Sequence, residues 1–403
     1  MKTIYFDYNA TTPIRPEVHE EMKPWMEPGG EFGNPSSIHS VGMKARAAVE
    51  KARGQVATLL GVSDPGQIVF TSGGTEADNM AIKGAALSHR EAKHIVTSSI
   101  EHHAVLNVCE YLKENFGYRV TFLPVDKGGR VDPEAVARAI EPDTLMVSVM
   151  LANNEIGTLQ PIEKIGALCR DRRILFHTDA VQAVGKIPLS LDKMPVDLLS
   201  LSAHKIYGPK GIGALYIRKG TRLQSLFHGG QHEKNRRAGT ENLSGIVGLG
   251  AACAAIGPEM EAEEARQRRL RDRLEKGLLD QIPSSRVNGH PTERLNNTAH
   301  LSFECVEGEG LLMLLDAAQA DRPGLAVSTG SACASGSLEP SHVMQALGVG
   351  PEWIHGSVRF SLGKFNTEED VDWALKLVPP VVARLREMSP LWQDKIKRSA
   401  VKN

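Results

Sequence analysis

Short β-branched apolar runs alternate with longer amphipathic stretches through the first two thirds of the chain. Gln67 to Phe70, His94 to Ser98, Tyr118 to Leu123, Leu145 to Leu151, Ile174 to His177, Leu198 to Ser200 and Ala214 to Ile217 read as strands. Between them, Thr75 to Leu87, Ala104 to Glu114, Pro133 to Ile140 and Ile162 to Arg170 repeat apolar residues at helical spacing. Such alternation predicts a mainly parallel sheet covered by helices, with a ligand crevice at the carboxyl ends of the strands. From Pro258 the pattern changes. Glu259 to Leu279 is a long charged helical stretch with Glu264 and Arg268 at i,i+4 spacing, a solvated face. Beyond it, strand-like Thr298 to Phe303 and Ser357 to Leu362 and helical Gly308 to Asp316 and Thr367 to Met388 predict a smaller α+β unit. Asp394 to Asn403 is polar and basic, a tail that frays.

The length of 403 residues is enough for two or three domains at roughly 150 residues each. With 47 Lys and Arg against 48 Asp and Glu, the net charge is -1, so nothing argues for a general nucleic-acid or anionic-membrane surface. Any ligand must be read by a local site. The opening MKTIYFDYNATTPIRPEV has no apolar core followed by a small-residue cleavage site, which predicts a cytosolic protein. The longest weakly apolar stretch, Gly245 to Gly257, falls well short of the ~20 residues of a membrane span. Cys109, Cys169, Cys253, Cys305 and Cys333 are an odd number without a C-x-x-C pair, against both a disulfide framework and a structural zinc site.

Three segments could carry chemistry. Ile68-Val-Phe-Thr-Ser-Gly-Gly-Thr-Glu runs from a strand through two glycines into a helix, where Gly74 and Thr75 would cradle a phosphate. A capping box with a tight turn explains the same residues, and the absence of a following Gly-Lys-Ser/Thr excludes a Walker loop. In Phe176-His-Thr-Asp-Ala-Val-Gln, His177 and Asp179 could form a metal pair, Asp179 could be a satisfied buried carboxylate, or it could hold the protonated nitrogen of a pyridine cofactor. In Ser200-Leu-Ser-Ala-His-Lys-Ile-Tyr-Gly-Pro-Lys-Gly, Lys205 follows a strand and precedes a Gly-rich turn, a partly buried place from which a lysine forms a Schiff base with an aldehyde. Ser202 and His204 beside it offer phosphate contacts. Thr75, Asp179 and Lys205 together describe a pyridoxal 5'-phosphate site.

At this point the chain resembles the cysteine desulfurases of the NifS/IscS group, in the class V branch of the fold-type I pyridoxal-phosphate enzymes. The likeness runs from Tyr5-Phe-Asp-Tyr-Asn-Ala-Thr-Thr and Phe32-Gly-Asn-Pro-Ser-Ser through Ala152-Asn-Asn-Glu-Ile-Gly-Thr to Ser357-Val-Arg-Phe-Ser-Leu-Gly. Arg236-Arg-Ala-Gly-Thr-Glu-Asn and the run from Ser328 to Val343 are closer to NifS than to IscS. The resemblance implies an α/β fold with a large cofactor-binding domain over 16–258 and a smaller domain from 1–15 with 259–403. It implies that Lys205 holds the cofactor, Asp179 pairs with the ring nitrogen, Gln182 meets the ring hydroxyl, and His102 stacks on the ring face and relays protons. Gly74, Thr75, Ser202 and His204 would bind the phosphate, joined by Thr240 from the other subunit of a homodimer. Asn154 and Arg359 would clamp the carboxylate of L-cysteine, and an iron–sulfur scaffold or other acceptor would take the sulfur.

Composition points separately to the nucleophile. Ser328 to Ser337 holds Ser, Thr, Gly, Ala and Cys333, with nothing bulky to anchor it, which predicts a mobile surface loop bearing a thiol. The other four cysteines sit in apolar or helical contexts that suit small buried hydrophobes. A class V aminotransferase would share the cofactor site without needing Cys333, a selenocysteine lyase would also make alanine, and an idle sulfur carrier would not need Lys205, Asp179, Gln182 and Arg359 together.

Overall fold

The computed structural model describes residues 3–89, 91–317, 323–329 and 340–402; Cys333 lies outside the described residues. Seven strands form the main sheet, in the order Ile68–Thr71, Gly213–Ile217, Leu198–Ser202, Leu175–Asp179, Thr144–Ser148, His94–Ser98, Arg119–Leu123. Every strand but Gly213–Ile217 runs the same way, as the strand and helix alternation requires. Both faces are covered. Ile68 and Phe70 point into a core with the helices Ser40–Leu60, Ile162–Asp171 and Leu243–Ile256, while Val69 points to the opposite face with Gly74–Ser88 and His103–Phe116.

Ser40–Leu60 was legible but unread: Ala45, Val49, Ala52, Val56 and Leu60 recur every three or four residues and are all buried. Its partner Leu243–Ile256 is the first part of the one described helical run, Leu243–Gln281, long and apolar enough to cross a membrane. That apolar part is spent inside this core.

A second core joins Leu270, Leu274 and Leu278 of the charged helix Met260–Gln281 to the antiparallel sheet of Ser285–Val287, Thr298–Phe303 and Ser357–Ser361 and to the helix Glu368–Met388. Phe6, from the other end of the chain, is buried in it. Ile4–Tyr5 pairs in parallel with Leu325–Ala326, and Asp7 bridges to Ser361. The segment Tyr5 to Thr12 thus leaves the second core and passes along the carboxyl edge of the main sheet, where Thr12 binds the carbonyl of His204.

Candidate active site

Five strand ends of the main sheet converge on one cavity of about 220 Å³. Gly74 and Thr75 follow Ile68–Thr71, His102 follows His94–Ser98, Asn154 follows Thr144–Ser148, Asp179 and Gln182 end Leu175–Asp179, and Ser202, His204 and Lys205 end Leu198–Ser202. Arg359 enters from the second core. The structure thus lines one cavity with every predicted site residue except Cys333, outside the described residues, and Thr240, which is exposed at the surface.

The helix Gly74–Ser88 begins one residue before Thr75, and no described side chain caps it. Its first N–H groups and dipole are therefore available to an anion. Gly73 takes φ +157, open to glycine, and a Cβ on Gly74 would stand 2.7 Å from Val181 Cγ2. Glu76 Oε2 instead accepts from Ser72 N at 2.7 Å, one residue before the N-cap Gly73, so the capping box of the alternative reading is not formed.

Lys205 Nζ donates to Asn9 O at 2.6 Å and Ala10 O at 2.7 Å, two carbonyls of the Tyr5 to Thr12 segment. Asp179 accepts from Val181 N at 2.9 Å; burial raises its pKa to about 6, against the pull of Val181 N and Lys205. Beside it Asp78, wholly buried, is raised well above the carboxylate range by burial and by Asp179 itself. Burial is the main cause of both shifts, and for Asp78 the charge of Asp179 adds to it.

His102 caps the helix His103–Phe116 with Nδ1 accepting from Ala104 N at 3.1 Å, so the ring proton sits on Nε2. Burial, then Lys205, His103 and His342, lower its pKa to about 4 and keep the ring neutral. His204 is likewise lowered to about 4 by burial, Lys205 and Lys210, with Nδ1 beside Thr11 Oγ1 at 3.1 Å. The Arg359 fork is braced: Nη1 donates to Asn154 O at 2.8 Å and Nη2 to Asp7 Oδ1 at 2.6 Å. His177 has a structural place instead, closed between Ser148 Oγ at 2.8 Å and Ser200 Oγ at 3.1 Å, and the described residues hold no metal-binding group.

Sequence reasoning missed Asp78 and Asn9. Asp78 carried a signal, a carboxylate in the apolar run Ala77 to Ala86. Asn9 lay in the quoted Tyr5 to Thr12 motif, but only the fold brings it across the sheet.

An uncapped helix start, a buried carboxyl at a strand end and a lysine lining one cavity fit an anionic pyridine aldehyde. The family model of the class-V aminotransferases matches residues 4–373. The chain belongs to the class-V aminotransferase family. A cysteine desulfurase IscS of Methanosarcina thermophila is 54% identical over 97% of this chain and 94% of its own length. The cysteine desulfurase NifS of Azotobacter vinelandii is 48% identical over 97% and 96%. A solved NifS-like protein superposes with a TM-score of 0.87 at 39% identity, over 95% of this chain and all of that one. SspA, solved in complex with cysteine, superposes at 0.78 with 38% identity over 91% of this chain. Within the family, the chain groups with the cysteine desulfurases of the NifS and IscS type, and relatives of both names are similar enough that neither subgroup stands apart.

Proposed function

We propose that this chain converts L-cysteine to L-alanine with pyridoxal 5'-phosphate, the cofactor of its family, and passes the sulfur to Cys333. The observation that supports the cofactor's place is that Lys205, the uncapped helix start at Gly74 and Thr75, and Asp179 line one cavity. When bound, the cofactor supplies an electron sink for bonds breaking at the substrate carbons. Lys205 would anchor its aldehyde carbon, and Gly74, Thr75, Ser202 and His204 would hold its phosphate. Asp179 would face the ring nitrogen, whose positive charge favours the ionised carboxylate. Gln182 would donate to the ring oxygen.

The carboxylate of cysteine would meet the Arg359 fork beside Asn154. Once displaced by substrate, the Lys205 amine lifts the α-proton. His102 is suited to the opposite task, because Nδ1 is engaged and Nε2 carries a proton to give. Cys333, as the thiolate, would then attack the substrate sulfur: the carbon–sulfur bond breaks, a sulfur–sulfur bond forms, and the carbon keeps the electron pair and takes a proton, which His102 is suited to give, to become the methyl group of alanine. Cys333 is left as a persulfide for an iron–sulfur scaffold or other acceptor. The four remaining cysteines are poor rivals. All are buried, and burial pushes the thiols of Cys109, Cys169 and Cys253 up to about 12 and raises Cys305 as well.

We read the two cores as two domains, 16–258 and 1–15 with 259–403, in a homodimer. Phe32, Ile38, Val41 and Met43 support the dimer as exposed apolar residues in one short segment. The test is a single-turnover incubation with L-cysteine. We expect alanine in step with persulfide on Cys333 by mass spectrometry. Cys333→Ser should keep the yellow colour and yield almost neither product; native-rate alanine from that variant would favour a selenocysteine lyase-type reaction, and a keto acid in place of alanine would favour an aminotransferase.

A further inference from the structure

A neighbouring pocket is lined by Lys205 together with a second, half-buried lysine, Lys186. Lys186 follows Gly185, which takes φ +74, and stands four residues after Gln182. Its Nζ donates to Gln182 Oε1 at 2.9 Å and to Asn9 Oδ1 at 3.0 Å. Among the described residues its hydrogen-bond partners are thus two amides, with no carboxylate. Burial, then the charges of Lys205 and Arg359, press its pKa well below that of an ordinary lysine. A lysine kept in such surroundings costs stability compared with an apolar side chain of its size. Its value must lie in what it holds.

What it holds is the orientation of two amides. Gln182 Nε2 donates to Asn9 O at 2.8 Å, a carbonyl that can only accept, while Gln182 Oε1 faces an amine that donates whether or not it is charged. The amide cannot flip without breaking both bonds, so its remaining N–H is left for the cavity. Asn9 is fixed in the same way. Its Oδ1 takes Lys186 and Asn297 Nδ2, the latter at 3.0 Å, and its Nδ2 donates to Thr298 Oγ1 at 2.9 Å. The carbonyl of Asn9 also accepts from Lys205 Nζ. Lys186 therefore clamps Gln182, the predicted ring contact, and Asn9, whose carbonyl meets the reactive lysine.

We propose that Lys186 is a positioning residue that holds the Gln182 amide with its N–H toward the ring oxygen of the cofactor. The proposal rests on the reading of Gln182 given above. The test is a double-mutant cycle on cofactor binding, with Lys186→Met, Gln182→Ala and the pair, read as the affinity of the apo-protein for pyridoxal phosphate and as the wavelength of the bound visible band. Each single change should weaken binding about tenfold, the scale of one hydrogen bond to a charged group, and should shift the band. The pair should bind no more weakly than Gln182→Ala alone, and Lys186→Arg, which keeps the donors, should return affinity and band toward native. Losses that multiply in the pair, or a Lys186→Met protein with native affinity and band, would overturn the proposal while leaving the role of Gln182 intact. A Gln182→Ala protein with native affinity and band would remove that role and the proposal with it. Should Lys186→Met not fold, Lys186→Gln, a shorter neutral donor, enters the same cycle.

Discussion

Glu101 is a carboxyl group without charge at neutral pH. Its Oε1 accepts from Ser98 Oγ at 2.5 Å and Met150 N at 2.9 Å, Oε2 has no hydrogen-bond partner among the described residues, and burial raises its pKa to about 8. The folded protein then binds a proton that the unfolded chain releases near pH 4.5. Stability contributed by this group is present below that pH and declines as pH rises toward 8, by up to roughly 1.4 kcal/mol per pH unit. Glu101→Gln should therefore gain stability relative to the native protein steadily from pH 5 to pH 8, measured as the difference in Tm; a constant difference would show that Glu101 is ionised in the fold. At the substrate end, Arg359→Ala should raise the half-saturating cysteine concentration about tenfold or more, because a carboxylate clamp contributes to ground and transition states alike. Steady-state kinetics with unchanged half-saturation would contradict that role. The sequence displayed Glu101 beside His102, yet its protonation depends on complete burial, which outweighs the opposing bonds from Ser98 and Met150 and is set by the fold alone. Lys205 and Asp179 were legible because each carries a chemically unusual residue at a strand end.

At the scale of elements, the helix start proposed to cradle the phosphate depends on a glycine in a neighbouring strand. A Cβ on Gly213 would lie 2.5 Å from Leu201 O and 2.7 Å from the carbonyl carbon of Gly73, both backbone atoms that cannot turn aside. Gly213→Ala should push the reversed strand away from the helix start, costing about 2–4 kcal/mol in urea unfolding and weakening pyridoxal phosphate binding together. Loss of stability with native cofactor affinity would mean that the cradle stands independently of that strand. Strands and helices of the main sheet were readable because apolar alternation and helical spacing are local signals. The reversal of Gly213–Ile217 was not, since direction is decided by its partners Ile68–Thr71 and Leu198–Ser202. Nor could spacing reveal that the residues around Asn9 act as a bridge, because the two-residue strand Ile4–Tyr5 exists only by pairing with Leu325–Ala326.

For the whole molecule, the exposed Thr240 is the residue that asks for a second copy. Its loop is tied down in this chain: Arg53 Nη1 and Nη2 each donate to a Glu233 carboxylate oxygen at 2.8 Å, and Arg237 Nε donates to Glu76 Oε1 at 2.8 Å. Mixed dimers with Lys205→Ala on one chain and Thr240→Val on the other should retain one intact site and so about half the native activity, whereas Thr240→Val homodimers should bind the cofactor more weakly. Mixed dimers no better than the worse parent would speak against a shared site. The bridge at Asn9 has a bearing on how the protein is made. Asn9 N donates to Ser361 Oγ across 352 residues of sequence, and the Lys205 amine leans on carbonyls 196 and 195 residues away. During synthesis the first-made segment must wait for nearly the last before it has a place to lie, and contacts of such separation form late. The last strand of the main sheet ends at Ile217, whereas the Ser361 anchor of the segment that seats the lysine is present only in chains translated almost to their end.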